Sequence, residues 1–150
     1  MNYFNRIIAA LECIPQSFIS LLARLAVGLV FLNSGLTKID GFQVTDSAIF
    51  LFQEEYKVPL LSPWLAAHLA TFNELTMSSL LIIGLASRFA ALVLLGMTLV
   101  IEIFVYPGAY VVHGLWAVAL LTIIAHGAGV VSIDHLISRQ SQPRVAPSHS

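Results

Sequence analysis

Four long apolar runs, each holding no more than two ionisable residues, set the pattern of this chain: Ser17 to Leu36, Trp64 to Leu85, Ser87 to Tyr106 and Val111 to Val131. Each is close to the roughly 20 helical residues, at about 1.5 Å rise, that cross the hydrocarbon core of a bilayer. The pattern predicts an all-α protein, a four-helix transmembrane bundle with short interfacial helices. In the first run Arg24, Gly28, Phe31, Gly35 and Lys38 share one stripe. Gly28 and Gly35, helped by Ala23 and Ser34, would let a neighbouring helix approach closely. The second run carries a stripe of small and polar residues, Ala67, Ala70, Thr71, Glu74, Ser78 and Leu81, expected to face the interior. Gly84 to Arg88 reads as a tight turn, with Gly84 ending one helix and Ser87 opening the next, so runs two and three form an antiparallel hairpin. Pro107 and Gly108 make the turn into the fourth run, which holds His113, Trp116 and His126 and is followed by a stop at Ser132 to Asp134.

The polar stretches between and beyond these runs divide the chain into an interfacial amphipathic segment (1–16), a four-helix domain (17–136) and a disordered polar tail (137–150). Over residues 2–12, Tyr3, Phe4, Ile7, Ile8 and Leu11 fall on one helical face and Asn2, Asn5, Arg6 and Glu12 on the other, the signature of a helix lying on a membrane. Pro15 breaks it. The first run is expected to be a retained helix, because it is long, carries Arg24 and lacks a small-residue cleavage pattern. The longest connection, residues 37–63, is acidic. Asp46 is expected to cap a short helix whose Ile49, Phe52 and Tyr56 line one face, with Pro59 and Pro63 stopping it, and the whole is expected to lie as a lid over the helix ends.

Composition agrees with a bilayer setting: 58% of residues are hydrophobic and 10% charged, over a length of 150 that suits one domain. A net charge of −1 gives no basic surface for nucleic acid, so membrane lipid is the partner implied. Cys13 is the only cysteine, which excludes an internal disulfide, a dithiol relay and a thiolate-rich metal site. Arg6, Arg88, Arg139 and Arg144 fall on one side of the bundle and Lys38 and Lys57 on the acidic other side. By the positive-inside rule both termini are cytoplasmic, in a bacterial inner membrane if the source is Gram-negative.

Counting residues inward from the ends of the runs sorts the ionisable groups into two layers. Arg24 and Glu74 fall near mid-membrane and are expected to form a buried ion pair, which either locks the first two helices or lets Glu74 handle protons. Glu102 and His113, on helices joined by a short turn, are expected to meet near the outer surface, among Lys38, Tyr106, Tyr110 and Trp116. Such a pair suits proton relay, a quinone head group or an interfacial anchor. His113 and His126 are too far apart in sequence and on different faces, so no metal site is expected. Phosphate loops, nucleophile elbows and haem-attachment motifs are absent from the sequence.

The segments FLNSGLTKIDGF, QEEYKVP, NEL, LLIIGLASRFAALVLLGMTLVIEIFVYP, HGLWA and HGAGVVSIDHL together resemble the DoxX family of small bacterial four-helix membrane proteins, over about residues 20–136. The resemblance carries over Arg24, Ser34, Gly35, Lys38, Glu74, Arg88, His113 and Trp116 as site candidates. It implies an accessory subunit of a membrane redox or stress-response system, without assigning a catalytic residue. The candidate polar pocket is Arg24, Lys38, Glu74, Glu102, His113 and Trp116, and the candidate helix-packing set is Gly28, Ser34, Gly35, Gly84 and Arg88. Quinone is the cofactor, and a redox protein or a second copy of the chain the partner, that this reading brings in. A small transporter or export factor, and a purely structural membrane scaffold, are the alternatives.

Overall fold

A computed structural model of the chain describes Tyr3, Ile8 and residues 12–140. The expected interfacial helix over 2–12, apart from Tyr3, Ile8 and Glu12, and the tail beyond 140 lie outside the described residues. The fold is all-α but for one tiny hairpin. Helix α1 is Gln16–Leu36; strands β1 (Ile39–Asp40) and β2 (Gln43–Val44) pair antiparallel; α2 is Asp46–Leu51 and runs into a π-helical turn at Phe52–Tyr56. Helix α3 is Pro63–Ile83, α4 is Ser87–Val100 with a π-helical continuation Ile101–Val105, α5 is Tyr110–His126, and α6 is Ile133–Gln140. Helices α1, α3, α4 and α5 form the bundle, with α1 packed on α3 and α5, and α4 on α3 and α5.

The bundle encloses an apolar core interleaved with small and polar side chains, and its outer surface is apolar. Its core is a compact cluster of Val27, Phe31, Met77, Leu81, Ala90, Ala91, Leu94, Leu120 and Ile123. Leu22, Leu29, Phe72, Phe89, Leu92 and Leu121 point outward and are exposed, the surface expected of helices whose solvent is hydrocarbon. The interior hydroxyls of Thr71, Ser78 and Thr98 are satisfied by carbonyls of their own helices, at Ala67, Glu74 and Leu94. Among the described residues two helices, Gln16–Leu36 and Ser87–Val105, are long and apolar enough to cross a membrane, and Tyr110–His126 is a shorter apolar helix.

Several boundaries differ from the sequence expectation, each for a local reason. Thr45, not Asp46, caps α2, its side chain accepting from Ala48 N at 3.2 Å. Pro63 starts α3 rather than stopping the helix before it, because Ser62 caps that end and a first-turn proline has no N–H to lose. Helix α5 ends at His126 instead of running to Val131: Gly127 and Gly129 take φ of +80° and +81°, outside any helix. The chain is helical again over Ile133–Gln140.

The turn between α3 and α4 is closed from a distance. Gly84 is left-handed at φ +76°; a Cβ there would stand 2.5 Å from Ser132 Cβ. Ala86 caps α4 without a side-chain bond of its own. Asp134 supplies it, its two carboxylate oxygens accepting from Ala86 N at 2.7 Å and Ser87 N at 2.9 Å. A carboxylate there also complements the positive end of the helix dipole. Asp134→Ala should therefore lower stability by about 1–2 kcal/mol, with Asp134→Asn in between. Thermal unfolding in mild detergent, followed by circular dichroism, orders the three.

Candidate functional site

The register of α1 against α3 decides which ionisable groups meet. Gly28 lies against Ile82, and Gly35 against Leu75 and Glu74; a Cβ at Gly28 would come within 2.7 Å of Ile82, and one at Gly35 within 2.9 Å of Leu75 and 3.0 Å of Glu74. Helix α1 is thus staggered from an end-matched alignment with α3 by about three turns, at about 3.6 residues each. That stagger brings Lys38, just beyond the end of α1, to the level of Glu74, and carries Arg24 past the end of α3 to Gly84. The expected Arg24–Glu74 ion pair does not form. Counting depth inward from the ends of the runs assumes that both helices begin and end at the same level, and these do not.

Glu74 pairs with Lys38 instead. Lys38 Nζ stands 2.7 Å from Glu74 Oε2 and 3.0 Å from Oε1. The same ammonium donates to Ser34 Oγ at 2.8 Å and to Ser34 O at 3.0 Å, and Ser34 Oγ donates to Glu74 Oε1 at 3.2 Å. Lys38 is 6% and Glu74 3% exposed, so the pair is dry and its hydrogen bonds are saturated. Lys38 also satisfies a carbonyl of the last turn of α1, where a cation is favoured.

Glu102 and His113 meet across the Pro107 turn, with His113 Nδ1 2.5 Å from Glu102 Oε2. Glu102 belongs to the π-helical turn that ends α4, where Tyr106 N donates to Ile101 O at 2.8 Å. His113 is buried in the first turn of α5 and leans on Trp116, ring centroids 5.0 Å apart, and Trp116 meets Phe31 edge to face. Between the two polar pairs lies a cavity of about 160 Å³. Ser34, Lys38, Glu74 and His113 form its polar lining, and Phe31, Phe52, Tyr56, Tyr106 and Trp116 its aromatic walls.

The cavity is covered by the long connection. Phe52 and Tyr56 come from the second π-helical turn, in which Lys57 N donates to Phe52 O, and Phe52 packs on Ala66 and Ala67 of α3. Tyr106 donates its hydroxyl to Glu55, and Tyr56 meets Tyr106 edge to face at 5.7 Å. Burial pushes the Tyr56 phenol above its ordinary pKa, with the nearby Glu55 and Glu74 charges acting in the same direction, so it stays a neutral donor. Two π-helical turns thus face each other across one cavity, and such turns recur at functional sites.

Of the expected pocket residues, the structure brings Lys38, Glu74, His113 and Trp116 to the cavity, places Glu102 directly behind His113, and puts Arg24 at the opposite end of the bundle. Arg24 there donates to four backbone carbonyls: Leu81 O at 2.8 Å, Ile82 O at 2.9 Å, Ala128 O at 2.6 Å and Val131 O at 2.9 Å. Arg88, expected to pack between helices, is exposed instead; Ser87, Ala90 and Ala91 occupy the inward positions of the first turn of α4, so Arg88 points out beside Gly127. Ser34, read as a packing residue from its place on α1 and as a site candidate from the resemblance, belongs to the polar network. Tyr56 and Tyr106 were legible as aromatics near the interface, but nothing in their spacing tied them to Glu74. Among the described residues there is no group of three His, Cys, Asp or Glu that could hold a metal ion.

A family model for DoxX matches residues 19–107. The chain belongs to the DoxX family. It is a small integral membrane protein. The match takes in Lys38, Glu74 and Glu102 of this DoxX chain and ends at Pro107, so His113 and Trp116 lie beyond it. No curated protein and no solved structure matches the chain.

Proposed function

We propose that this protein is an accessory subunit of a membrane redox system and that its cavity holds the head group of a quinone. The observation that carries the reading is a ring-sized, aromatic-walled space with hydrogen-bonding groups at two ends. An apolar cavity of about 150 Å³ takes a single benzene ring, and this one is about 160 Å³. A quinone head group is one such ring with two opposed acceptors. The Tyr56 hydroxyl is a donor at one end and His113 at the other, with Nε2 left over once Nδ1 faces Glu102. Val30 lines the cavity and is 38% exposed on the outside of α1, which gives an isoprenoid tail a way out to lipid. A bound quinone supplies two-electron, two-proton chemistry. The electrons come from a partner electron-transfer protein; this chain's part is to orient the ring, keep water out with the Phe52–Tyr56 cover, and hold protons at His113–Glu102 and Lys38–Glu74. We place the protein in the inner membrane with its four bundle helices as spans over residues 17–136 and both termini cytoplasmic, from its arginine distribution.

Protein purified in mild detergent and extracted for mass spectrometry should carry quinone, and Glu74→Gln should lower its occupancy about tenfold, the effect of losing one charge-assisted contact worth about 1.4 kcal/mol. Quinone absent from the wild type would sink the reading; equal occupancy in the variant would remove Glu74 from the site. The saturated Lys38–Glu74–Ser34 network favours a second reading, a structural scaffold, because it needs no ligand to be stable. An empty wild type that folds normally is the result that reading expects.

A further inference from the structure

We propose that a cleft at the end of the bundle opposite the cavity binds a phosphate oxyanion, as presented by the head group of an anionic phospholipid. The inference stands apart from the quinone reading. The cleft lies between the first turn of α4, the end of α5 and helix α6, is about 470 Å³ in volume, and is lined by Ser17, Arg88, His126, His135 and Ser138. Asp134 is the single acid in this lining, and both its oxygens are engaged by Ala86 N and Ser87 N. Its charge is turned toward the positive end of α4.

Arg88 is therefore left as a cation without an anion. It makes no ion pair among the described residues, and its approach to Ala125 O, at 3.5 Å, is too long to hold a guanidinium. His126 uses Nδ1 toward Thr122 O and keeps Nε2 available, and His135 brings a second imidazole. A planar guanidinium flanked by imidazoles and serine hydroxyls matches the tetrahedral oxygens of a phosphate. An adjoining cleft shares Arg88 and Asp134, and Ser87 lines it, with a buried hydroxyl that has no partner.

The surroundings favour lipid as the source. Val130, Val131 and Leu136 are exposed beside the cleft and are 56–60% accessible, while Arg139 lies on the same short amphipathic helix as Leu136. Such a strip belongs at the boundary between head groups and hydrocarbon, with acyl chains on the valines and the phosphate in the cleft. Basic pockets between helices at that level bind acidic head groups.

The full-length protein in mild detergent, titrated in native mass spectrometry with phosphatidylglycerol, phosphatidylcholine and, separately, inorganic phosphate, tests this. Phosphatidylglycerol should be retained over phosphatidylcholine, and Arg88→Gln should reduce its retention about fivefold, the effect of one basic residue near an anionic surface. Lys57→Gln, exposed at the opposite end of the bundle, should leave retention unchanged. Binding of inorganic phosphate that is lost in Arg88→Gln, with no preference between the two lipids, would keep the oxyanion site and assign it to the free ion. Equal retention by wild type and Arg88→Gln with no phosphate binding, or an equal loss in Lys57→Gln, would overturn it. Arg88 is exposed, so unchanged helical circular dichroism is expected and checks that the variant is folded.

Discussion

Glu74→Ala should destabilise the protein by about 3–5 kcal/mol, and adding Lys38→Met should recover most of that loss. The two groups are almost completely buried, and the carboxylate takes up two of the acceptor positions around the ammonium. Removing the carboxylate alone leaves Lys38 as an unpaired charge among Phe31, Phe52 and Met97, where it must either lose its proton or draw in water. Removing both charges leaves an apolar space of similar volume, which is often as stable as the ion pair it replaces. A double-mutant cycle measured by unfolding in mild detergent reads this directly, since the two sites are in contact and their effects should not add. A loss below about 1 kcal/mol for Glu74→Ala would mean that the pair is wet, at the level of an exposed salt bridge, and that the cavity does not exclude water. The doubly substituted protein also separates architecture from function: it should fold, and it should carry no quinone.

What the sequence made legible follows from what periodicity encodes. The stripe Ala67, Ala70, Thr71, Glu74, Ser78 and Leu81 is a one-helix property, read from spacings of three and four, and all of it is buried in the bundle but Ala70, which is half-buried. The closeness of Glu102 and His113 is nearly as local, because only the Pro107 turn separates them. The partner of Glu74 was a different kind of question. It depends on the stagger of α1 against α3, which no single-helix pattern contains, and a shift of about three turns is enough to exchange Arg24 for Lys38. Asp134 was read only as part of a helix stop; that it caps α4 from 48 residues away in sequence depends on the Gly127–Ser132 segment folding back over Gly84. The π-helical turns escaped for a similar reason. Their sequences read as ordinary helix, and the extra residue in each turn shows only in the bonds from Tyr106 N to Ile101 O and from Lys57 N to Phe52 O.

Replacing Arg24 should cost about as much as breaking the buried ion pair, but no second substitution should rescue it. Its guanidinium serves the last turn of α3, at Ile82 O and at Leu81 O, which otherwise accepts only from Gly84 N at 3.2 Å, and the non-helical backbone at Ala128 and Val131. Irregular backbone at that depth is tolerated only when protein groups satisfy it, and one side chain 2% exposed does so for two separate segments. Arg24→Ala is expected to cost about 3–5 kcal/mol and to cut the yield of monodisperse protein sharply. Arg24→Lys should recover part of this, since an ammonium has three donors but no fixed fork to span both segments. Arg24→Met tests the argument most directly, because it keeps much of the volume and removes every donor. It should fall close to Ala, whereas Lys38→Met is rescued by a second substitution at Glu74. The difference is chemical: the partner of Lys38 is a side chain that can be exchanged, but the partners of Arg24 are backbone carbonyls, which no substitution deletes. A melting temperature for Arg24→Met equal to the wild type would show that water or a backbone shift satisfies those carbonyls, and that the Gly127–Ser132 segment is held by its apolar contacts alone.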